Sequence, residues 1–269
     1  MVFSIIKRPP KKEITTVTLD VDNTMHPFNG LMYGAITDAA REISEEPRIK
    51  KQKKFDSREV LRQMKNVMRE NLYLEHPGYP RNRKNYGVMV GRIMTEADMI
   101  FDKLGIKCDP LDFARLIEGK FNVSLHNFYR EDQQSLGLAE AIRYLQNEGM
   151  TVGTISNSPM DMMDFYRGLW VERGIEIDPK HVTVSEETGL RKPKNGIFFY
   201  AAGKMRSSVP NICHFGDNSE HDIEGPREAG YGDQVLVTGY SVPPHDFEGK
   251  AIDFLNVGNV ERIRKKYWK

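Results

Sequence analysis

Asp20 and Asp22 stand two residues apart in LDVDNT and are followed by Thr24, while Ser156 and Asn157 close the run MTVGTISN. Lys192 precedes Pro193 in SEETGLRKPKNGIF, and Asp217 and Asp222 lie five residues apart in HFGDNSEHDIEGPREAG. Carboxylates in such groups can attack an electrophile, pass protons or hold a hard cation; short hydroxyls can donate to oxyanions, and a lysine can cancel charge. Taken singly, each stretch also has a plain structural reading. Asp22 and Asn23 suit a solvated turn, Ser156 suits the N-cap region of a helix starting near Pro159, Lys192 suits a surface, and Gly216-Asp217 suits an ordinary turn. Pro193 is expected in the first turn of a helix, where its fixed φ is tolerated.

The elements that would carry these residues separate the two readings. Ile14 to Asp20 is a β-branched run that stops at polar residues, and Met150 to Ser156, Val182 to Ser185, Asn211 to Phe215 and Gln234 to Thr238 read as further strands. Helices are expected over Leu136 to Glu148, Pro159 to Arg173, Lys194 to Arg206 and Glu220 to Ala229, and the basic tail Glu261 to Lys269, with Tyr267 and Trp268, as a helix docked on the core. Alternating strands and helices predict an α/β fold, Rossmann-like and doubly wound, with a mostly parallel sheet. Every one of the four stretches falls at the carboxyl end of a predicted strand, and a parallel sheet gathers those ends at one edge, where open α/β folds bind ligands.

Between Asn29 and about Gln133 the alternation lapses into helices rich in Lys, Arg and Met. The predicted organisation is therefore a catalytic core of residues 1–28 and 134–269, with residues 29–133 inserted after the first strand as an α-helical cap. Cys108 and Cys213 show neither a metal-ligand spacing nor a disulfide framework, which suits a reducing, cytoplasmic setting. The net charge of +1 gives no global pull toward nucleic acid or membrane. The apolar stretch Val2 to Ile6 is too short for a signal core, and no segment approaches the roughly 18 apolar residues of a membrane helix.

In order and wording, LDVDNT, ISN, GLRKP and GDNSEHD resemble the four motifs of the haloacid dehalogenase-like (HAD) hydrolase superfamily. The likeness spans about Ile14 to Phe28 and Leu136 to Thr238. It implies Asp20 as a covalent nucleophile, Asp22 as general acid and then base, and Lys192 as the cation beside them. Dehalogenases of this pattern place a non-acidic residue two after the nucleophile. A phosphate-ester leaving group needs a proton and a halide does not, so Asp22 favours a phosphatase. Asp22 must then hold a raised pKa, which crowded carboxylates promote.

Charge counting adds a cofactor. Asp20, Asp217 and Asp222 would meet a phosphate dianion, and two unit charges about 4 Å apart repel by roughly 4 kcal/mol at an effective dielectric near 20. Lys192 cancels one charge and a divalent cation two; oxygen-only ligands favour Mg²⁺. By resemblance the metal ligands are Asp20, Asp217 and the backbone carbonyl of Asp22, with Asp222 orienting or joining them. Thr24, Ser156, Asn157 and Lys192 are the expected phosphate binders.

The expected substrate is a small phosphorylated metabolite. The phrase DNTMHPFNG is similar to the pyrimidine 5′-nucleotidase-like branch, with His26 in an aromatic's place, which makes a nucleoside monophosphate a candidate and His26 a candidate substrate contact. Tyr33, Tyr73, Tyr79 and Tyr86 could stack on a base, though aromatics at helical positions are mostly core. From Arg48 to Arg69, nine Lys or Arg face two carboxylates, a strip read as a solvated face rather than a nucleic-acid site. A phosphotransferase and a noncatalytic binding module are the alternatives from other classes.

Overall fold

The computed structural model describes residues 11–46, 49, 56–70, 76–86, 88–241 and 247–269, with side chains left undescribed at 68–70, 80, 85, 86 and 88. Val2 to Ile6, Arg48, Lys50, Lys51, Lys53, Lys54 and Tyr73 thus lie outside the described residues, as do the side chains of Arg69 and Tyr86. The described residues up to His26, with Asp132–Ser158 and Trp170–Lys269, form one compact unit, and Pro27–Glu131 with Pro159–Leu169 form a second. These junctions lie two residues ahead of those expected from the sequence. The helix Met160–Arg173, expected wholly in the core, is divided between the two units.

The first unit is built on six strands: β1 (Thr16–Leu19), β2 (Thr151–Ser156), β3 (Val182–Val184), β4 (Ile212–Gly216), β5 (Asp233–Val237) and β6 (Ala251–Ile252). They form one sheet in the order β3-β2-β1-β4-β5-β6, and every neighbouring pair is parallel. The β-branched run TVTL is buried throughout, as a central strand covered on both faces must be. Chain order reverses at β1, which has β2 and β3 on one side and β4 to β6 on the other. The carboxyl ends of β1 and β4 therefore open a crevice at a topological switch point.

Register sets what meets there. Leu19 lies opposite Thr154 of β2 and Phe215 of β4, so Asp20 leaves the sheet level with Gly216, and its backbone N–H still donates to Phe215 O at 2.8 Å. β6 was not expected, because two residues are too few to show a period. The helix expected from Leu136 starts at Gln133, where the Asp132 side chain caps it by accepting from Gln134 N at 2.7 Å. The C-terminal helix runs from Val257 to Tyr267 and buries Val260 and Ile263.

The second unit is helical, with no strand among its described residues. Phe113, Ile117, Phe121 and Leu125 recur every four residues along Pro110–Glu131 and are fully buried, and Phe121 meets Phe28 edge-on at 5.3 Å. A Cβ at Gly91 would lie 2.6 Å from Arg83 N, so only glycine allows the helix Val88–Leu104 its close approach to Tyr79–Tyr86. Tyr79 is itself buried in this core, while Tyr33 is half-buried under Lys65 Nζ, 4.5 Å from its ring centre. No described helix is long and apolar enough to cross a membrane.

Candidate active site

Beyond β1 the chain turns at once, with Met25 N donating to Val21 O at 2.9 Å and Asn23 at φ 57°, a left-handed conformation that Asn tolerates. This turn brings Thr24 back so that its hydroxyl donates to Asp20 Oδ2 at 3.2 Å. The other oxygen, Oδ1, accepts from Lys192 Nζ at 2.5 Å. Lys192 Nζ also donates to Asp222 Oδ1 at 2.6 Å, and all three side chains are buried.

Lys192 is placed by Asn157. The amide of Asn157 accepts from Lys192 N at 3.0 Å and donates to Lys192 O at 3.2 Å. Asn157, expected to hold phosphate, is therefore bound to the lysine backbone from both ends of its amide. Pro193 precedes the helix Asn195–Lys204 rather than opening it, because Lys194 takes the N-cap position.

Asp222 sits in a π-helical turn, Ser219–Glu224, that follows β4; the expected single helix is this turn followed by the short helix Gly225–Glu228. Asn218 caps the turn by accepting from Glu220 N and His221 N, and its own N–H donates to Asp222 Oδ2 at 3.0 Å. A Cβ at Gly216 would fall 2.3 Å from Asp222 Cβ, so the Gly in GD is what lets the turn close. One oxygen each of Asp20, Asp217 and Asp222 lies within 4.8 Å of the others.

The charges explain how these carboxylates titrate. Burial pushes the pKa of Asp20 well up; Lys192 opposes it, and Asp222 and Asp217 reinforce it. Burial, then Asp222, raises Asp217 to about 7. Burial also works against ionised Asp222, but Lys192 and His214 override it and hold this carboxyl below the usual range. Lys192, pushed down by burial, is lifted further by Asp20 and Asp222 and stays charged. Three carboxylates thus share one ammonium, and the site is short of positive charge. An all-oxygen donor set with excess negative charge fits a hard divalent cation, with Asp20, Asp217 and Asp222 as its side-chain ligands. The side chain of Asp22 is not part of that cluster.

Asp22 is instead held by residues the sequence reading passed over or assigned elsewhere. Ser158 Oγ donates to Asp22 Oδ2 at 2.5 Å and accepts from Ser156 Oγ at 2.9 Å. His26, expected to contact substrate, is fully buried with Nε2 3.3 Å from Asp22 Oδ1, close to the carboxylate but without hydrogen-bond geometry. His214 was also missed; its only signal is a polar residue inside the apolar strand ICHFG. Ser158 had the signal of a second hydroxyl two residues past Ser156.

A Rossmann-like sheet with a lysine between two aspartates at its switch point defines a class of α/β enzymes. The chain belongs to the haloacid dehalogenase-like hydrolase family, whose model matches residues 14–230. No curated protein sequence matches it. Among solved structures it is similar to a Thermotoga maritima protein described as a candidate beta-phosphoglucomutase, at 13% identity and TM-score 0.63 over 94% of this chain and 99% of that one. A candidate HAD-hydrolase of Bacillus subtilis, YfnB, bound to magnesium, is 19% identical with TM-score 0.59 over 94% and 98%. A 2-haloacid dehalogenase of Pseudomonas syringae is 18% identical with TM-score 0.54 over 94% and 99%. At these identities the likeness is one of fold.

Proposed function

We propose that the protein is a Mg²⁺-dependent phosphatase that hydrolyses a small phosphomonoester through an aspartyl phosphate on Asp20. The observation that carries this reading is the second carboxylate: Asp22 stands two residues past the nucleophile, is hydrogen-bonded by Ser158 and has the His26 ring beside it. Dehalogenation has no use for such a group, because a halide leaves without a proton.

In the first step an Asp20 oxygen attacks phosphorus, the bond to the leaving oxygen breaks, and Asp22 gives that oxygen its proton. In the second, water attacks the aspartyl phosphate, Asp22 takes a proton from it, and Asp20 is released with inorganic phosphate. Thr24 orients Asp20 from one oxygen and Lys192 from the other. Ser156, whose hydroxyl now donates to Ser158, can turn to a phosphate oxygen instead. Bound Mg²⁺ would supply the charge that lets a phosphate dianion approach these carboxylates. The inserted helical unit is proposed as the cap that selects substrate, with nucleoside monophosphates among the substrates to try.

The test is release of phosphate from p-nitrophenyl phosphate, with and without Mg²⁺, beside halide release from a 2-haloacid. Phosphate release that stops with EDTA supports the reading. Halide release without phosphate release overturns it.

A further inference from the structure

His214 is a buried titratable side chain that the chemistry above does not use. It lies in β4, fully buried, with Nδ1 2.8 Å from Thr18 Oγ1 and Nε2 3.2 Å from Asp222 Oδ1. Thr18 is its register partner on β1, so the contact is built by the pairing of the two central strands. We propose that His214 is a positioning residue for Lys192: it fixes Asp222, and through Asp222 the ammonium held against Asp20.

The direction of each hydrogen bond follows from the groups. Asp222 Oδ1 already accepts from Lys192 Nζ, which has donors only, so Asp222 is an acceptor and His214 Nε2 carries the hydrogen. That holds whether the ring is neutral or charged. In the neutral ring Nδ1 accepts and the Thr18 hydroxyl rotates to donate; in the charged ring the same hydroxyl accepts. Thr18 therefore holds the ring orientation in either state.

Asp222 is consequently gripped by three donors: Asn218 N on Oδ2, and His214 Nε2 and Lys192 Nζ on Oδ1. Two of these are anchors in the fold and the third is the group being aimed. Asn157 fixes the backbone of Lys192, but four methylenes separate that backbone from Nζ, so the head needs its own fixed point. Asp222 is that point. Without His214 its Oδ1 keeps Lys192 as sole partner, and the pair can swing together away from Asp20. Misplacement of about 1 Å near a reacting centre costs on the order of 100-fold in rate.

The experiment compares the full-length wild type with His214→Phe, His214→Gln and Thr18→Val. Phe keeps a ring against Phe198, whose centroid is 5.8 Å away, but loses the donor; Gln keeps an N–H donor. With p-nitrophenyl phosphate and saturating Mg²⁺, kcat of His214→Phe is expected to fall about 10- to 100-fold with KM within about twofold, and His214→Gln to recover most of it. Crystals of His214→Phe should show Lys192 Nζ out of hydrogen-bond reach of Asp20 Oδ1. A folded His214→Phe with wild-type kcat and Lys192 in place overturns the proposal, and so does an equal loss in His214→Gln. If His214→Phe does not fold, the near-isosteric Thr18→Val decides: a several-fold lower kcat at unchanged KM supports the proposal, and wild-type kcat sinks it. The kinetic arm rests on the phosphatase reading, whereas the position of Lys192 does not. A wild type inactive on the ester removes that reading alone and leaves the crystal comparison intact.

Discussion

The sheet carries a buried aspartate at each end, and the two are neutralised in opposite ways. At the amino end of β5, Asp233 accepts from Lys12 at 3.4 Å, from Lys250 and from Trp268 Nε1 at 2.8 Å. Two ammonium groups and an indole thus surround one carboxylate. Beyond the carboxyl end of β4, Asp222 shares one ammonium with Asp20, and Asp217 adds a third negative charge. Asp233 ties the segment at Lys12 and the C-terminal helix to the sheet, and Lys12 N donating to Tyr267 O at 2.9 Å completes that staple. Burial and ion pairing are common to both ends. The unsatisfied charge at one of them is what marks a ligand site.

The comparison breaks most directly at Asp20 and Asp233. Asp20→Asn should lower phosphatase activity by at least about 10³-fold, because the nucleophile is lost. The thermal midpoint should stay near wild type, since one repulsive carboxylate goes with it. Asp233→Asn should do the reverse, removing about 1–3 kcal/mol of stability by taking the charge from beside the half-exposed Lys12 and the more buried Lys250. Its kcat per folded molecule should be unchanged, as measured by assays well below its midpoint. Equal effects of the two variants on stability and turnover would erase the distinction between the ends.

A pH titration sharpens the contrast. Asp217, raised to about 7 by burial and Asp222, holds a proton below that pH, and Mg²⁺ must displace it. Mg²⁺ affinity by calorimetry should therefore fall by at least about tenfold per unit as pH drops below about 7, since Asp20, also pushed up, adds a second proton to displace. An affinity flat from pH 6 to 8 would contradict the assignment of Asp217 as a ligand.

The smallest effect is expected in the basic strip of the helical unit. There Arg62, exposed, is bonded to Glu59 at 2.6 and 2.7 Å, a surface pair that solvent screens. Replacing Lys50, Lys51, Lys53 and Lys54 by Ser should change kcat/KM for mononucleotides by less than a few fold, with weak salt dependence. Salt-sensitive oligonucleotide binding that the quadruple variant loses would identify a polyanion site instead.

The mostly parallel sheet and the grouping of the acids with Lys192 were legible because both follow from strand signals that are local. Asp20, Lys192, Asp217 and Asp222 each follow a strand, and parallel pairing alone brings strand ends together. The supports were not legible, since no strand-end pattern announces which side chains pack behind the acids. Ser158 reaches Asp22 across 136 positions, and Asn157 meets Lys192 across 35. Resemblance suggested His26 as a substrate contact and Asn157 was an expected phosphate binder; the packing adds that Asn157 clamps the Lys192 backbone and that His26 is buried beside Asp22. Asp233 stands just ahead of the strand expected from Gln234, with nothing in the sequence to announce Lys12, Lys250 and Trp268 around it.

The proposed mechanism requires Asp20 to accept the phosphoryl group. Beryllofluoride mimics an aspartyl phosphate, so a crystal of the wild type grown with Mg²⁺ and this ion tests that step at the atom concerned. A tetrahedral group bonded to an Asp20 oxygen is expected, with Lys192 Nζ and the Ser156 hydroxyl on its fluorines. Beryllofluoride bound elsewhere, with Asp20 bare and still held by Lys192, would contradict the mechanism.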